Sequence, residues 1–437
     1  MKNNKVRQKQ LLRPVFLVNI YLFLVLILFF SGPIKWEIAD PVVVFLLLVL
    51  YQVLFTVGYY LSYCNRQVSA PKKVKFNTQL NKFIITSLLV SILLNLLYVY
   101  QKNGISLYSF WSSLQDSLNN AGNLYQNKIA TESSSGLLTS FMTICSPITF
   151  CAIPASIFYW KYISYKIRVL SIICIGIEIS KWLFIGTNKG IIDVVIVIAS
   201  INFLIRLRSD NKLIVRNIFK NSRTTIFLII LLLIGLFSFF NTMSSRLNSN
   251  LTPIYSVIGG NSIDMNNWFI KIFPNALMLL PILIDTYLSQ GFYGFSLILE
   301  LKFRPLFGVG NSMFLMQKFK SISGIDVFPS TFIDRIVGWD PYVNWHSAYS
   351  WWANDVSVYG VFIVMLVLGY YFFKVIDSAV NDGNFVAVML FSMLCQMIFY
   401  LPINNQILSQ PLSFMPFVVY SLIFLTQSIN RNRRRNE

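Results

Sequence analysis

Cationic side chains suited to phosphate binding lie in the second half of this 437-residue chain. Arginine presents a planar fork that binds two phosphate oxygens at once, and lysine presents a point charge. Lys302 and Arg304 follow a short apolar stretch, so we expect them near the outer headgroup level, where a lipid-linked phosphate lies. With Arg335 and Arg246 they are candidate ligands of a diphosphate, although plain contact with lipid headgroups would also explain them.

A second set of charged residues lies inside or at the rim of apolar segments. Glu178 and Lys181 are three residues apart, share one face of a helix and are expected to pair with each other. The turn GTNKG places Lys189, with Asp193 nearby, at the outer face. Lys189 is there either an anion contact or a lysine that snorkels to the membrane surface.

The chain's only histidine, His346, is a candidate general base, because its unperturbed pKa is near neutrality. A lone histidine is also commonly a hydrogen-bonded structural group, and that interpretation stays open. Asp340 and Asp355 are rival bases. Asp355 follows two tryptophans at the mouth of an apolar segment, where desolvation would raise its pKa.

Four tryptophans lie in the same stretch of the chain. Trp339 and Trp345 are predicted to offer flat faces to sugar rings, whereas Trp351 and Trp352 are more typical of an interfacial belt. The stretch therefore combines cations for phosphate, aromatic faces for carbohydrate and side chains able to accept a proton.

The composition indicates the class of protein that carries these residues. Hydrophobic residues make up 55% of the chain and charged residues 12%, with a mean hydropathy of +0.61. Soluble domains carry about 25% charged residues, so we predict an all-α polytopic membrane protein. The five cysteines are scattered, and a single histidine argues against a histidine-based metal site, so we expect neither metal nor cofactor.

Ten hydrophobic runs are long enough, with their flanking residues, to form transmembrane helices. Helix is the expected state, because lipid offers no hydrogen-bond partner to a free backbone group. The first run continues without a signal-peptide cleavage site, so we expect it to be retained. The runs cover residues 15–31, 41–63, 83–100, 137–160, 169–185, 191–205, 224–240, 356–373, 385–401 and 411–429.

The distribution of basic residues orients these spans. With the N-terminus inside, the cytoplasmic segments carry 24 lysines and arginines, whereas the outer segments carry 11. This asymmetry follows the positive-inside rule, so both termini are predicted to be cytoplasmic. The net charge of +19 is thus a feature of membrane topology and not of nucleic-acid binding.

The predicted spans divide the chain into three parts. Residues 1–240 form an N-terminal membrane domain of seven helices with a small outer loop at 101–136. Residues 241–351 form one large outer loop that holds the candidate site. Residues 352–437 form a C-terminal membrane domain of three helices followed by a basic cytoplasmic tail.

Two apolar stretches inside the large outer loop, 275–284 and 287–299, are interrupted near Asp285. A single span through both would bury Asp285 and move the basic C-terminal tail to the outside, and both outcomes are unfavourable. We therefore predict two short interfacial or re-entrant helices. The sequence has no internal repeat of the kind that transporters show.

Four motifs mark the second half of the chain and the turn before it: QGFYGFSLILE, FGVGNSMFL, WHSAYSWWANDVSVYG and GTNKG. Together they resemble the O-antigen polymerase (Wzy) family. The layout, with one dominant outer loop before the last few spans, is similar along nearly the full length. The resemblance implies a GT-C-like glycosyltransferase of the bacterial inner membrane that links lipid-carried repeat units into O-antigen or capsular polysaccharide, with its large loop in the periplasm.

The resemblance also implies a particular chemistry. A glycan on undecaprenyl diphosphate would be the donor, and a second lipid-linked unit would be the acceptor. Diphosphate is a good leaving group, so the enzyme must mainly neutralise the charge that develops on it, as preorganised cations do. Arg304, Arg335 and Arg246 would do this, His346 or Asp355 would take the acceptor proton, and transfer would be metal-independent with inversion.

Two other functions remain open. An O-antigen ligase would share the fold class and the lipid donor but not the acceptor. A lipid-linked oligosaccharide flippase or transporter would have short loops on both sides and charged residues along a central path. For a polymerase, the expected partners are undecaprenyl-diphosphate-linked oligosaccharides, membrane lipids, and a flippase and chain-length regulator of the same pathway; nucleic acid is not expected.

Overall fold

The computed structural model describes residues 10–66, 72–106, 108–119, 136–208 and 258–436, with isolated positions between them. Nearly all regular structure in these ranges is helical. The predicted span at 224–240, apart from single positions, and the candidate ligand Arg246 lie outside the described residues.

Seven helices form the N-terminal half of the described chain. They are α1 (Arg13–Ser31), α2 (Pro41–Cys64), α3 (Thr78–Asn103), α4 (Phe110–Asn119), α5 (Leu137–Phe158), α6 (Tyr165–Phe184) and α7 (Lys189–Arg208). A short strand, β1 (Ile34–Lys35), follows α1 and pairs antiparallel with β2 (Ser262–Ile263). This pairing joins the segment between the first two helices to the region that carries the candidate site.

Eight helices form the C-terminal half. They are α8 (Trp268–Lys271), α9 (Leu279–Leu297), α10 (Met313–Ser323), α11 (Phe332–Arg335), α12 (Ala348–Asp377), α13 (Phe385–Tyr400), α14 (Gln406–Ser409) and α15 (Pro411–Asn436). A 3-10 turn (Ile298–Glu300) extends α9, and a π-helical turn (Ser378–Asp382) extends α12.

Eight described helices are long and apolar enough to cross a membrane, judged by length and composition. They are α1, α2, α3, α5, α7, α9, α12 and α15. Helix α13 is apolar but has only 16 residues, and α6 has 20 residues of which four are charged. The structure thus confirms an all-α protein with several membrane-spanning helices, while the exact number of spans and their orientation stay predictions.

Helix α9 corrects one detail of the sequence analysis. Two short helices were predicted on either side of Asp285, but α9 is a single continuous helix of 19 residues from Leu279 to Leu297. With its 3-10 extension it is one of the eight helices long enough to cross a membrane. Most of its side chains are buried against the rest of the protein.

The environment of Asp285 explains why α9 is not interrupted. Asp285 is fully buried, and its Oδ2 accepts a hydrogen bond from the backbone N–H of Ile34 in β1 (3.0 Å). Its Oδ1 accepts one from Ser289 Oγ (2.7 Å), which in turn accepts one from Trp36 Nε1 (3.1 Å). A buried carboxylate is tolerated when its hydrogen-bonding capacity is satisfied. Hydrogen-bonding groups of the protein, and not lipid, therefore surround the carboxylate, so α9 can continue through Asp285.

Helices α2 and α12 pack at close range through two glycines. A Cβ atom at Gly58 would lie 1.9 Å from the backbone oxygen of Leu366, and one at Gly369 would lie 1.9 Å from that of Phe55. Small residues allow such close approach of membrane helices. Tyr51 adds a hydrogen bond from its hydroxyl to the Val358 carbonyl (2.7 Å). This contact fixes α12, on which the candidate site is built.

The predicted pair between Glu178 and Lys181 is confirmed. Lys181 Nζ lies 2.6 Å from Glu178 Oε1, and Asn95 of α3 bonds to both side chains (3.0 and 2.7 Å). Trp182 Nε1 donates a further hydrogen bond to Glu178 (3.0 Å). Both charges are thus compensated by neighbours on α3 and α6, which is a structural role.

Candidate functional site

The candidate site is built on the first turns of α12 and on the loop at residues 301–312. Asp355 holds this loop: its Oδ1 accepts hydrogen bonds from the backbone N–H groups of Gly308 (2.8 Å) and Gly310 (2.9 Å). Its Oδ2 accepts from Asn311 Nδ2 (2.7 Å). Hydrogen bonds to an ionised acceptor are about twice as strong as neutral ones. Asp355 therefore anchors the loop, whereas the sequence analysis considered it as a general base.

Asn354 makes a second set of contacts to the same loop. Its Nδ2 donates to the Gly310 carbonyl (2.9 Å), and its own carbonyl accepts from the Leu306 N–H (3.2 Å). Its Oδ1 accepts from the N–H of Phe332, the first residue of α11 (2.7 Å). The buried Asn354 side chain therefore links the loop, α11 and α12 into one unit.

The loop is held in a backbone conformation that few residues adopt. Phe307 has a φ of 50° and Gly308 a φ of 91°. A non-glycine residue at positive φ is strained, and such strain persists only when surrounding contacts impose it. The Phe307 side chain is 88% exposed, so it contributes little packing of its own. The contacts of Asn354 and Asp355 are what impose this conformation.

Arg335 is oriented by backbone oxygens from two segments. Its Nε donates to the Thr331 carbonyl (3.1 Å), and its Nη2 donates to the Lys302 carbonyl in the loop (2.8 Å). The guanidinium carbon lies 5.2 Å from the centre of the Phe332 ring, which is within cation–π range. Arg335 is therefore fixed at the end of α11 and beside the loop.

Arg304 lies on the same loop, close enough for its charge to act on Arg335. Partial burial, and then the charge of Arg304, lowers the pKa of the Arg335 guanidinium from its ordinary value. Among the residues that the structure describes, no carboxylate forms an ion pair with Lys302, Arg304 or Arg335. Lys302 and Arg304 are also exposed. The structure thus places Arg304 and Arg335 close together beside the Lys302 backbone, and this positive charge, which has no ion-pair partner among the described residues, favours an anion.

Two exposed aromatic side chains that the sequence analysis did not identify lie in this part of the chain, and one of them, Phe303, is on the loop with Arg304. Phe303 stacks on Phe332 with ring centres 6.1 Å apart, and it remains partly exposed. Tyr342 packs on Phe328, with ring centres 5.9 Å apart, and most of its ring is exposed. The sequence signal for Phe303 was its position between Lys302 and Arg304; nothing comparable marked Tyr342.

Lys189 does not join this group. Its Nζ lies 2.5 Å from Asp193 Oδ2 at the start of α7, and Asp193 Oδ1 accepts a hydrogen bond from Tyr400 (2.8 Å). The Lys189 ammonium also lies 5.2 Å from the Trp182 ring centre. Its charge is compensated within the protein, so the predicted anion contact at Lys189 is not supported.

The two tryptophans predicted to bind sugar have different positions. Trp339 is 2% exposed, and its ring packs on Tyr293 and Trp36 with centres 4.9 and 6.2 Å apart. It has no face open to a sugar, so that prediction is not supported. Trp345 is half-buried, and its ring meets Tyr287 edge-on at 4.7 Å, which leaves part of the side chain accessible.

His346 lies in the protein interior and apart from the loop. It is 2% exposed, and a Cβ atom added at Gly294 of α9 would lie 3.0 Å from its Nδ1. Neither ring nitrogen has a hydrogen-bond partner among the described residues. Burial lowers the pKa of His346 to about 3. An efficient general base has a pKa near the working pH and contacts its substrate, so this position does not support the predicted role.

The buried imidazole should make the protein sensitive to acid. The pKa of His346 falls from 6.5 to about 3 on folding, so below pH 6.5 the unfolded state binds a proton that the folded state does not. Stability is therefore lost as pH falls from 6.5 towards 3. We expect the melting temperature of the purified protein to fall less steeply with pH in His346→Leu than in the wild type. Equal slopes would show that the histidine is not buried in its neutral form.

The residues that the sequence analysis missed are the anchors of the loop. Asn354 and Asn311 are polar positions beside apolar runs, and Asn354 lies two residues after the pair of tryptophans and two residues before the predicted span at 356–373. An uncharged amide in such a place is a signal for a buried hydrogen-bonding role. Its partners in the loop are more than 40 residues away in sequence, so only the structure shows that they are in contact with it.

Comparison with known proteins does not add a family. No protein-family model matches the chain, and no curated protein or solved structure is significantly similar to it. The interpretation of the site therefore depends on its own geometry and on the sequence motifs.

Proposed function

We propose that this chain is an O-antigen polymerase of the bacterial inner membrane, with about ten spans and both termini in the cytoplasm. It would extend a polysaccharide on the periplasmic face, using undecaprenyl-diphosphate-linked oligosaccharides as donor and acceptor. Two lines of support combine: the resemblance of the four motifs, and a pair of arginines beside the start of a helix long enough to cross a membrane.

The arginine pair is the observation that carries the proposal. Arg335 is held by two backbone carbonyls and the Phe332 ring before any substrate binds. Arg304 adds a second positive charge that acts unfavourably on the first. A diphosphate between them would replace this repulsion with two charge-assisted contacts. Preorganised cations of this kind stabilise charge that develops on a leaving group.

The proposed reaction is a glycosyl transfer. A hydroxyl oxygen of the acceptor unit attacks the anomeric carbon of the donor glycan, and the bond from that carbon to the diphosphate oxygen breaks. The bonding electrons leave with undecaprenyl diphosphate, whose added charge the arginines neutralise, and the hydroxyl proton is released to a base. Inversion at the anomeric carbon follows from attack opposite the leaving group.

The location of the arginines suits a lipid-linked substrate. The loop that carries Arg304 is fastened to Asn354 and Asp355, in the first turns of α12. Helix α12 is one of the helices apolar enough to cross a membrane, and a kink at Ser357 (φ 66°) separates its first turns from the longer apolar part. Asn354 and Asp355 lie just before this kink, so they are expected near the membrane surface at which the apolar part begins. A diphosphate whose polyprenyl tail remains in the bilayer lies at the same level. Sugar units beyond the diphosphate would meet the exposed ring of Phe303, whereas Trp339 is buried.

The polymerase function is tested by the surface glycolipid of a deletion strain. Loss of a polymerase leaves the lipid anchor capped with a single repeat unit, because flipping and ligation continue without it. We expect one band on a gel in place of a ladder. Complementation with the wild-type gene, and with Lys271→Ala as a matched substitution of an exposed cation away from the arginines, should restore the ladder.

Other results for the deletion strain would contradict the proposal and point to a different function. Bare anchor with long lipid-linked polymer retained on the outer face would identify a ligase. Single lipid-linked units trapped on the cytoplasmic leaflet would identify a flippase. A ladder that survives deletion would exclude a role in polymerisation.

A further inference from the structure

The second half of helix α10 projects from the protein. Every residue from 317 to 325 is exposed, although the first half of the helix is partly or fully buried. Phe319 and Ile322 are three positions apart and share one face of the helix. Ile325 follows the glycine that ends α10 and is also exposed. Ile322 is 87% exposed, which is unusual for so large an apolar side chain.

Two lysines accompany this apolar stripe of Phe319, Ile322 and Ile325. Lys318 and Lys320 are exposed neighbours on the same turns of the helix. Lys320 pairs with Asp326 at 2.5 Å, but both side chains are open to solvent, and such pairs contribute little. Apolar side chains flanked by lysines are typical of helices that lie on an anionic membrane surface.

The start of α10 is fastened to the beginning of α15, a helix long enough to cross a membrane. Ser312, which caps α10, donates to the Leu408 carbonyl just before α15, and Asn405 Nδ2 donates to the Asn311 carbonyl (2.5 Å). The rings of Phe314 and Phe414 pack with centres 5.3 Å apart, and Phe414 lies in the first turn of α15. Helix α10 thus begins beside the start of α15, and the start of a membrane-spanning helix is expected at a membrane surface.

We propose that α10 lies in the headgroup layer of the membrane, with the apolar stripe inserted among the acyl chains and Lys318 and Lys320 on anionic lipid phosphates. Interfacial helices bury their apolar face at the boundary between headgroups and acyl chains, and lysine stems extend to the charged layer. The bilayer that surrounds α15 continues to the start of α10, so it is the surface nearest to the stripe. This contact is separate from the arginine pair and does not depend on the proposed reaction.

Cysteine accessibility in the full-length protein tests this contact. Ile322→Cys places a thiol on the stripe, and Ser321→Cys places one about 100° further round the helix, outside the stripe, where it is also exposed. The purified variants are reconstituted into liposomes of phosphatidylcholine and phosphatidylglycerol and treated with a membrane-impermeant maleimide. Labelling is quantified for each peptide by mass spectrometry, so that the native cysteines serve as internal references. In denaturant the two introduced thiols should react equally.

We expect the thiol at position 322 to react several-fold more slowly than the one at 321 in liposomes. Lys318→Gln with Lys320→Gln, or omission of phosphatidylglycerol, should reduce this protection, because each lysine near an anionic surface adds to binding. Equal rates in liposomes would overturn the proposal. Protection found in native membranes but lost in liposomes would also overturn it, since a protein partner would then cover the stripe.

Discussion

Arg304→Ala and Arg335→Ala are each expected to abolish most polymer formation while the protein is still made and inserted. Each variant leaves part of the leaving-group charge uncompensated. Loss of one preorganised electrostatic contact typically lowers a rate by about 10²–10³-fold. The measurement is the polysaccharide ladder in a complemented deletion strain, followed by turnover of lipid-linked oligosaccharide by the purified protein.

Lysine variants separate charge from geometry at these positions. Arg335 is held by two backbone oxygens through different nitrogens of its guanidinium, and lysine cannot reproduce that fork. Arg335→Lys should therefore recover little activity. Arg304 is exposed and makes no hydrogen bond or ion pair among the described contacts, so Arg304→Lys should recover more.

Lys271 is an exposed cation in α8, and Lys271→Ala should leave the ladder unchanged. If Arg304→Ala and Arg335→Ala both behave like Lys271→Ala, the arginine pair is not the diphosphate site. The role would then pass to Lys302 or to Arg246.

The sequence was sufficient for the class of fold, because membrane insertion imposes simple rules. Long apolar runs must be helical, and those runs gave helices α1, α2, α3, α5, α7 and α12 close to their predicted positions. It was not sufficient for α9. One partner of Asp285, Ser289, is a single helical turn away, but the other, the Ile34 N–H, is more than 240 residues away, so only the structure shows that the carboxylate can be buried.

The candidate site was predictable only in part from the sequence. The residue types suited to phosphate were recognisable singly, and two of them, Arg304 and Arg335, lie close enough for their charges to interact. The aromatic and acid–base residues were not predictable singly, because their roles depend on burial. A tryptophan such as Trp339 packs equally well in a core or against a sugar, and the sequence does not indicate which environment it has.

Asp355→Ala is expected to reduce polymer formation about as strongly as loss of either arginine. The carboxylate makes three hydrogen bonds to the loop that carries Arg304, and that loop contains a strained Phe307. Without the anchor the strain is released and the arginines separate. Limited proteolysis of the loop should become faster in Asp355→Ala. Glu37→Gln, a change at an exposed acid between α1 and α2, should alter neither property.

Asp355→Asn distinguishes an anchor from a general base. Asparagine keeps one acceptor oxygen for the Gly308 and Gly310 N–H groups, although its amide nitrogen then faces the donor Nδ2 of Asn311. An anchor should therefore retain measurable activity as asparagine, with weakened donor binding that appears in KM. A base cannot be replaced by asparagine, so its loss would appear in kcat with KM unchanged. Activity in Asp355→Asn as low as in Asp355→Ala, with an intact loop by proteolysis, would return Asp355 to the role of base. The three contacts of its carboxylate favour the anchor, because an oxygen that already accepts two backbone hydrogen bonds is poorly placed to take a proton from substrate.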